Sequence, residues 1–301
     1  MGVRKLIDLG TLGGLNSFAF DINNLGQIVG TSEIESGQSR AFIWESDEMR
    51  DLGTLGGVFS QAFGINNLGQ AVGESQLDNG QIHAFLWENG SMRSLGTLGG
   101  TFSRALSIND RGQVIGISTL ANGQEVAFLW ENDEMKSIGN LDVRAINNLG
   151  QIVGVFTVVG TLSHGFLWEN GEITDLGALG ADTNFSGAQG INDLIQVVGE
   201  SILRAFLWEN GMMRDIGTLG GAFGFANDIN NHGQIVGAST LVTGESRATL
   251  WGKNTITNLG ILEDTTSSQA TAINDLGQIV GFSEGNGPTH AFLYNRATPT
   301  K

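Results

Sequence analysis

The side chains of this chain that could do chemistry are few, and they recur at intervals instead of gathering. His83, His164, His232 and His290 are the whole stock of imidazoles, and there is no cysteine. His83, His164 and His290 stand at one place in a recurring phrase, ahead of Phe-Leu-Trp or Phe-Leu-Tyr. Copies of one phrase lie in different structural units, so no Ser/His/Asp relay can be assembled from them. Acidic pairs such as Asp47 and Glu48 fall in turn sequences, where solvation is the ordinary state. Asn24, Asn67, Asp110, Asn148, Asp193, Asn231 and Asp275 form an oxygen-rich series that could interest calcium. No copy carries an alternating Asp-x-Asp-x-Asp loop, and only three of the seven are carboxylates, so no metal is expected. Stretches such as Gly96-Thr-Leu-Gly-Gly100 lack the Lys-Ser/Thr pair and following helix of a phosphate loop. On this reading there is no catalytic residue, no metal and no cofactor.

The elements that position these residues come from a repeat. Ile-Asn-x-x-Gly-Gln-x-Val-Gly, with small departures, begins at Ile22, Ile65, Ile108, Ile146, Ile191, Ile229 and Ile273, giving seven copies 38 to 45 residues apart. That period belongs to propellers and solenoids. In the second copy, Ser60–Ile65 reads as strand a, Asn66–Gly69 as a turn and Gln70–Ser75 as strand b. His83–Trp87 reads as strand c, Glu88–Gly90 as a turn and Met92–Leu95 as strand d. Strand c is apolar on both faces, as a middle strand with neighbours on either side would be. All six tryptophans and the one tyrosine end strand c, which marks them as filler between blades. The last copy stops after Ala291–Tyr294, and the chain begins with the missing piece, Val3–Leu9. The expectation is an all-β, seven-bladed β-propeller of four-stranded antiparallel blades, a single domain over 1–301, its ring closed by an N-terminal outer strand.

Composition limits the partners. The 301 residues carry a net charge of −16, which repels phosphate backbones and anionic lipid, so neither nucleic acid nor membrane is expected. Glycine, at 46 residues, falls periodically at turns. Met1–Gly10 reads as strand, so no signal peptide is expected there. A monomer is expected.

Asp-Leu-Gly-Thr-Leu-Gly-Gly, Ile-Asn-Asn-Leu-Gly-Gln-Ile-Val-Gly and His-Ala-Phe-Leu-Trp together resemble the HAF repeat family over essentially the whole chain. The resemblance implies an extracellular protein and supplies no catalytic residue. His-Ala-Phe is intact at His83 and His290, whereas Arg40, Arg204, Arg247 and Val126 take the histidine place elsewhere.

Residues present in every copy cannot mark a unique site. Asn23, Asn66, Asn109, Asn147, Asn192, Asn230 and Asn274, with the glutamines from Gln27 to Gln278, are expected to satisfy turn backbone, the alternative being a sevenfold ring of amides at one mouth. Departures from the repeat are more telling. Phe59, Phe102, Phe185 and Phe223 share one place after the glycine-rich crossing from strand d to strand a, where Asn16 and Ser267 stand elsewhere. Phe18, Gln61, Arg104, Phe225 and Gln269 follow along strand a. These nine form the candidate ligand-binding mouth, with at least two of the four phenylalanines expected to be exposed. The function expected is a non-enzymatic binding module for a glycan or a protein or peptide. An enzyme with its site in the central channel and a purely structural surface protein are the alternatives.

Overall fold

The turns dictate an antiparallel meander. After strand a, the asparagine carbonyl accepts from the glycine N–H three residues on, at 3.1 Å in both Asn23–Gly26 and Asn66–Gly69. The glycine takes a positive φ, +78° at Gly26, where a Cβ would be penalised. In the fifth repeat Ile195 holds φ +61° in a turn closed by the same bond, Ile195 N–H to Asn192 O at 3.2 Å. The turn keeps its shape, and the β-branched residue stores strain of about 1 kcal/mol.

The structure is a computed structural model describing residues 6–158, 162–180 and 185–295. The architecture is all-β and propeller-like, with no helix among the described residues. In the first repeat Gly13–Ile22, Ile28–Ile34, Ser39–Glu45 and Glu48–Asp51 hydrogen-bond in the order a-b-c-d. The fourth, fifth and sixth repeats make like four-stranded sheets. The second and third share one sheet, because Phe102 at the start of strand a bridges Ile82 in the preceding strand c. In the last repeat Ser267–Ile273, Ile279–Glu284 and His290–Tyr294 are joined by Ile7–Asp8, antiparallel, with Ile7 opposite Leu293 and Asp8 opposite Phe292. Val3, Arg4 and Lys5 of the expected closing strand lie outside the described residues.

Strand a carries a bulge in every repeat, between Ala19 and Asp21 in the first and Ala105 and Ser107 in the third. The bulge drives a carbonyl of strand a towards strand b, and this explains the glycine that ends the repeat phrase. A Cβ on Gly30 would lie 1.9 Å from Phe18 O, and one on Gly116 would lie 2.0 Å from Arg104 O. Glycine is required there by close approach, not by φ.

The core is divided among the interfaces between repeats. Val29, Ala41, Ile43 and Leu52 of the first repeat pack with Ala62, Ile65, Ala71 and Phe85 of the second. Leu9, Ala272, Val280, Ala291 and Leu293 pack in the same way with Ala19, Ile22, Ile28 and Phe42, joining the two ends of the chain. Phe42, Phe85, Phe128, Phe166, Phe206 and Phe292 in strand c are fully buried, each worth about 3–5 kcal/mol against truncation to alanine.

Strand a is longer than its sequence pattern suggested, beginning at Gly56 instead of Ser60 in the second repeat. The glycine pair is part of the strand, with Gly56 opposite Leu77. Phe59, Phe102 and Phe223 therefore lie within strand a and not in a loop ahead of it.

Candidate functional site

At the a–b turns the amides are consumed by one another. Asn23 Oδ1 accepts the N–H groups of Leu25 and Gln27, while its Nδ2 donates to Gln27 Oε1 and to Asn66 O of the next repeat. Asn66, Asn109, Asn147, Asn192 and Asn230 donate in the same way to the carbonyls of Asn109, Asn147, Asn192, Asn230 and Asn274. Asn274 donates to Asn23 O at 2.9 Å. The circuit therefore returns to its start.

The neighbouring series forms a second circuit, in which each backbone N–H donates to the following repeat's side-chain Oδ1, from Asn24 to Asn67 through to Asp275 to Asn24. Its three carboxylates never adjoin. Asp110 Oδ2 accepts from Asn67 and Asn148, Asp193 Oδ2 from Asn148 and Asn231, and Asp275 Oδ2 from Asn231 and Asn24. Seven places allow at most three acids without two meeting, so the mixture of Asn and Asp follows from hydrogen bonding and like-charge repulsion. These residues line a funnel of about 160 Å³. Among the described residues no group of three or more His, Cys, Asp or Glu could hold a metal ion.

Three of the four histidines are latches between strands. Nδ1 of His83 meets Ser94 Oγ at 2.9 Å, that of His164 meets Asp175 at 2.9 Å, and that of His290 meets Asp8 at 2.7 Å. Burial holds the His83 pKa below its ordinary value. Arg40 reaches Asp51 and Arg204 reaches Asp215 at 3.8 and 4.0 Å, which explains how arginine replaces histidine in this place.

Two carboxylates that the sequence pattern did not single out sit at the strand-a bulge. Asp21 Oδ1 and Oδ2 accept from the N–H groups of Ile22 and Ile65, both at 2.8 Å. Asp228 does the same with Ile229 and Ile273. Burial pushes the Asp21 pKa up to about 7, with a smaller upward push from Asp228, and the four backbone donors only partly oppose the effect at the two sites. Burial likewise pushes Asp228 up to about 6. Both side chains are half-buried. The other repeats have Gly64, Ser107, Ala145, Gly190 and Ala272 in this place.

The nine residues of the expected mouth separate. Phe185 and Phe223 are 40% and 42% exposed, while Phe59 and Phe102 are half-buried. Arg104 grips the buried Glu74 of the preceding repeat through two bonds, 2.7 and 3.0 Å, with its guanidinium 5.7 Å from the ring centres of both Phe63 and Phe102. Phe225 and Gln269 are half-buried opposite Ala238 and Phe282. Phe18 and Gln61 line a cavity of about 340 Å³ with Asn16, Phe20, Thr31, Ser32, Glu33, Ser39 and Phe282. None of Phe59, Phe102, Phe185 or Phe223 lines it.

That cavity has aromatic walls and one anomaly. The Phe18 ring stands at 67° to Phe282 with centres 5.2 Å apart, and is nearly parallel to Phe20. Thr31 is 6% exposed, and its Oγ1 is the buried side-chain polar atom left without a hydrogen-bond partner among the described residues. Such a group costs about 1–3 kcal/mol. The equivalent places in other repeats hold Glu74, Ile117, Val155, Glu200, Ala238 and Phe282, so the fold tolerates an apolar side chain there. Position relative to the bulge, visible only once the repeats are aligned, would have pointed to Thr31, Asp21 and Asp228.

The fold belongs with the β-propellers. No protein-family model matches the chain, and no curated protein sequence matches it. Among solved structures, the chain is similar to the β-propeller domain of the Trilobed protease from Pyrococcus furiosus, described as having an open velcro topology, at 12% identity and TM-score 0.64 over 94% of each chain. It is also similar to the WD40 propeller domain of Doa1, at 12% identity and TM-score 0.54 over 97% of this chain and 98% of that one. A puromycin-hydrolyzing peptidase of Mycobacterium tuberculosis matches at 9% identity and TM-score 0.64, the chain spanning 55% of its length. At these identities the likeness is one of fold.

Proposed function

We propose that the seven repeats are seven blades of one ring, closed by the N-terminal outer strand, and that the molecule is a monomeric, non-enzymatic binding module of HAF-repeat type. The pairing of Ile7–Asp8 with strand c of the last repeat supports closure, as do the amide circuits that run from Asn274 and Asp275 back to Asn23 and Asn24. The a–b end is occupied by its own hydrogen bonds, which leaves the d–a end, where the repeats differ, to receive a glycan or a protein segment. The observation that carries this reading is the aromatic-walled cavity at Phe18, Gln61 and Phe282. Phe185 and Phe223 extend the apolar surface at that end. The HAF resemblance carries the further proposal that the chain works outside the cell.

Glycan and peptide arrays test this, probed with the parent chain, Phe185→Ala, Phe223→Ala and, at the opposite end, His232→Ala. The exposed phenylalanines can be removed within about 1 kcal/mol of stability. Binding weakened by either phenylalanine change and untouched by His232→Ala is expected. A partner lost only on changing His232 would place recognition at the wrong end.

A second reading, an enzyme with its site in the channel, is favoured by the raised pKa values of Asp21 and Asp228. It is weakened because each carboxylate oxygen already accepts a backbone N–H.

A further inference from the structure

We propose that the cavity between the last, first and second repeats is a socket for one arginine side chain of a partner protein segment, its guanidinium lying against Phe18, Phe20 and Phe282 and paired with Glu33. This rests on the binding-module reading and names the partner of its cavity. The molecule already builds one such socket and fills it. Arg104 crosses from the third repeat to the second, where Glu74 accepts two bonds at 2.7 and 3.0 Å and the guanidinium lies 5.7 Å from the ring centres of Phe63 and Phe102. One repeat earlier, the places of Arg104, Glu74 and Phe63 are taken by Gln61, Thr31 and Phe20, and all three line the cavity. In the gap before that, Phe18 meets Phe282 with ring centres 5.2 Å apart. Two gaps are therefore closed, by a ring pair and by an ion pair, and the one between them, spanned by the shorter Gln61 and Thr31, stays open.

The lining selects the occupant. It is mostly apolar, with three phenylalanine rings and one carboxylate, Glu33. Arginine is the cation suited to such walls, because its guanidinium is weakly hydrated, its flat faces stack on aromatic rings and its edge donates to a carboxylate. The compact, strongly hydrated ammonium of lysine loses more on leaving water. Glu33 is held in place for this pairing. Asn16 Nδ2 donates to its Oε1 at 3.0 Å, and the N–H groups of Leu15 and Asn16 donate to its Oε2. These donors, the Asn16 side chain foremost, keep its carboxyl below its ordinary pKa. The Gln61 side chain makes no hydrogen bond among the described residues, so its amide oxygen can accept another guanidinium N–H. A net charge of −16 draws a basic segment towards the molecule. The volume, about 340 Å³, lies near the lower end of ligand pockets, about 300 Å³, and takes the end of one side chain more readily than a length of backbone.

The experiment titrates the full chain with N-acetyl-arginine amide, and with its lysine and citrulline counterparts, by saturation-transfer NMR. Citrulline keeps the shape of arginine without the charge. Two variants copy arrangements that the fold already carries. Glu33→Gln introduces the residue of the second repeat, where Gln76 accepts from the N–H of Val58 as Glu33 does from that of Leu15. Thr31→Glu/Gln61→Arg rebuilds the Glu74–Arg104 pair in the open gap. Saturable binding of the arginine probe is expected, about fivefold or more tighter than that of citrulline, and tighter than that of lysine. Glu33→Gln should weaken it about twofold to fivefold, as loss of an exposed ion pair does. Thr31→Glu/Gln61→Arg should abolish it while melting no lower than the parent. No arginine binding, equal binding of citrulline, tighter binding of lysine, or arginine binding unchanged in either variant would each overturn the proposal. An array ligand without arginine that loses affinity on Phe223→Ala would sink the socket and leave the module reading standing.

Discussion

Asp21 and Asp228 each hold the N–H of the following residue and that of an isoleucine one repeat on, so at residue scale they are rivets between neighbours. Their folded-state pKa values, about 7 and about 6, stand above the ordinary 3.8. The folded state therefore binds these protons more tightly than the unfolded chain. Neither residue penalises folding below about pH 4. Stability falls as pH rises from there through 6 and 7, by at most about 1.4 kcal/mol per pH unit for each group in its window. The general acidity of the chain acts in the same direction, so the test is differential. Melting temperatures at pH 5 and pH 8 should differ less in Asp21→Asn/Asp228→Asn than in the parent, and equal slopes would remove the assigned pKa shifts. Nothing in the sequence flags these two residues, because a bulge shifts the two-residue alternation on which the reading of strand faces depends. Thr31 was hidden for the same reason. Ile195, by contrast, stands out in the sequence because the other copies have glycine in that turn. Sequence leaves open whether the turn changes shape or keeps it under strain, and the φ of +61° shows that it keeps it.

At the scale of the element, the repeat phrase resolves into bonds with identifiable partners. Asparagine closes its own turn and ties down the next repeat, the glutamine reaches a glutamate at the end of strand c (Gln27 to Glu45, 2.7 Å), and the last glycine makes room for the strand-a carbonyl. Strand order and turn positions were readable because they depend on spacing and on residues with special backbone freedom. The start of strand a was not, since Gly-Gly reads as a loop until its pairing with the end of strand b is known. Gly116→Ala tests the close approach, because its Cβ would meet Arg104 O at 2.0 Å. The strand must part or the bulge must move, and denaturant unfolding should register a loss of several kcal/mol. A loss below about 1 kcal/mol would mean that the bulge relaxes freely and that the glycine has another cause.

For the whole molecule, the proposed ring gives the repeats a joint stability that no single one possesses, because each hydrophobic cluster is shared between neighbours. The expectation of closure came from a complementarity between the chain's ends, which sequence displays well. The ligand class did not, because it depends on which variable side chains meet across repeats. The d–a end can keep its cavity only if the first and last repeats stay together, since Phe18 and Phe282 come from opposite ends of the chain. In the proposed ring, closure would rest on Leu6 and Leu9, both buried, on the pairing of Ile7 and Asp8 with Leu293 and Phe292, and on the bond between Asp8 and His290. The most direct measurement is the thermal unfolding of the chain lacking residues 1–9, followed by light scattering. A closed ring predicts a melting temperature lowered by many degrees, with association through the unpaired edge of strand c at His290–Tyr294. A truncated chain that melts with the parent and stays monomeric would contradict the closed ring and, with it, a cavity built from both ends.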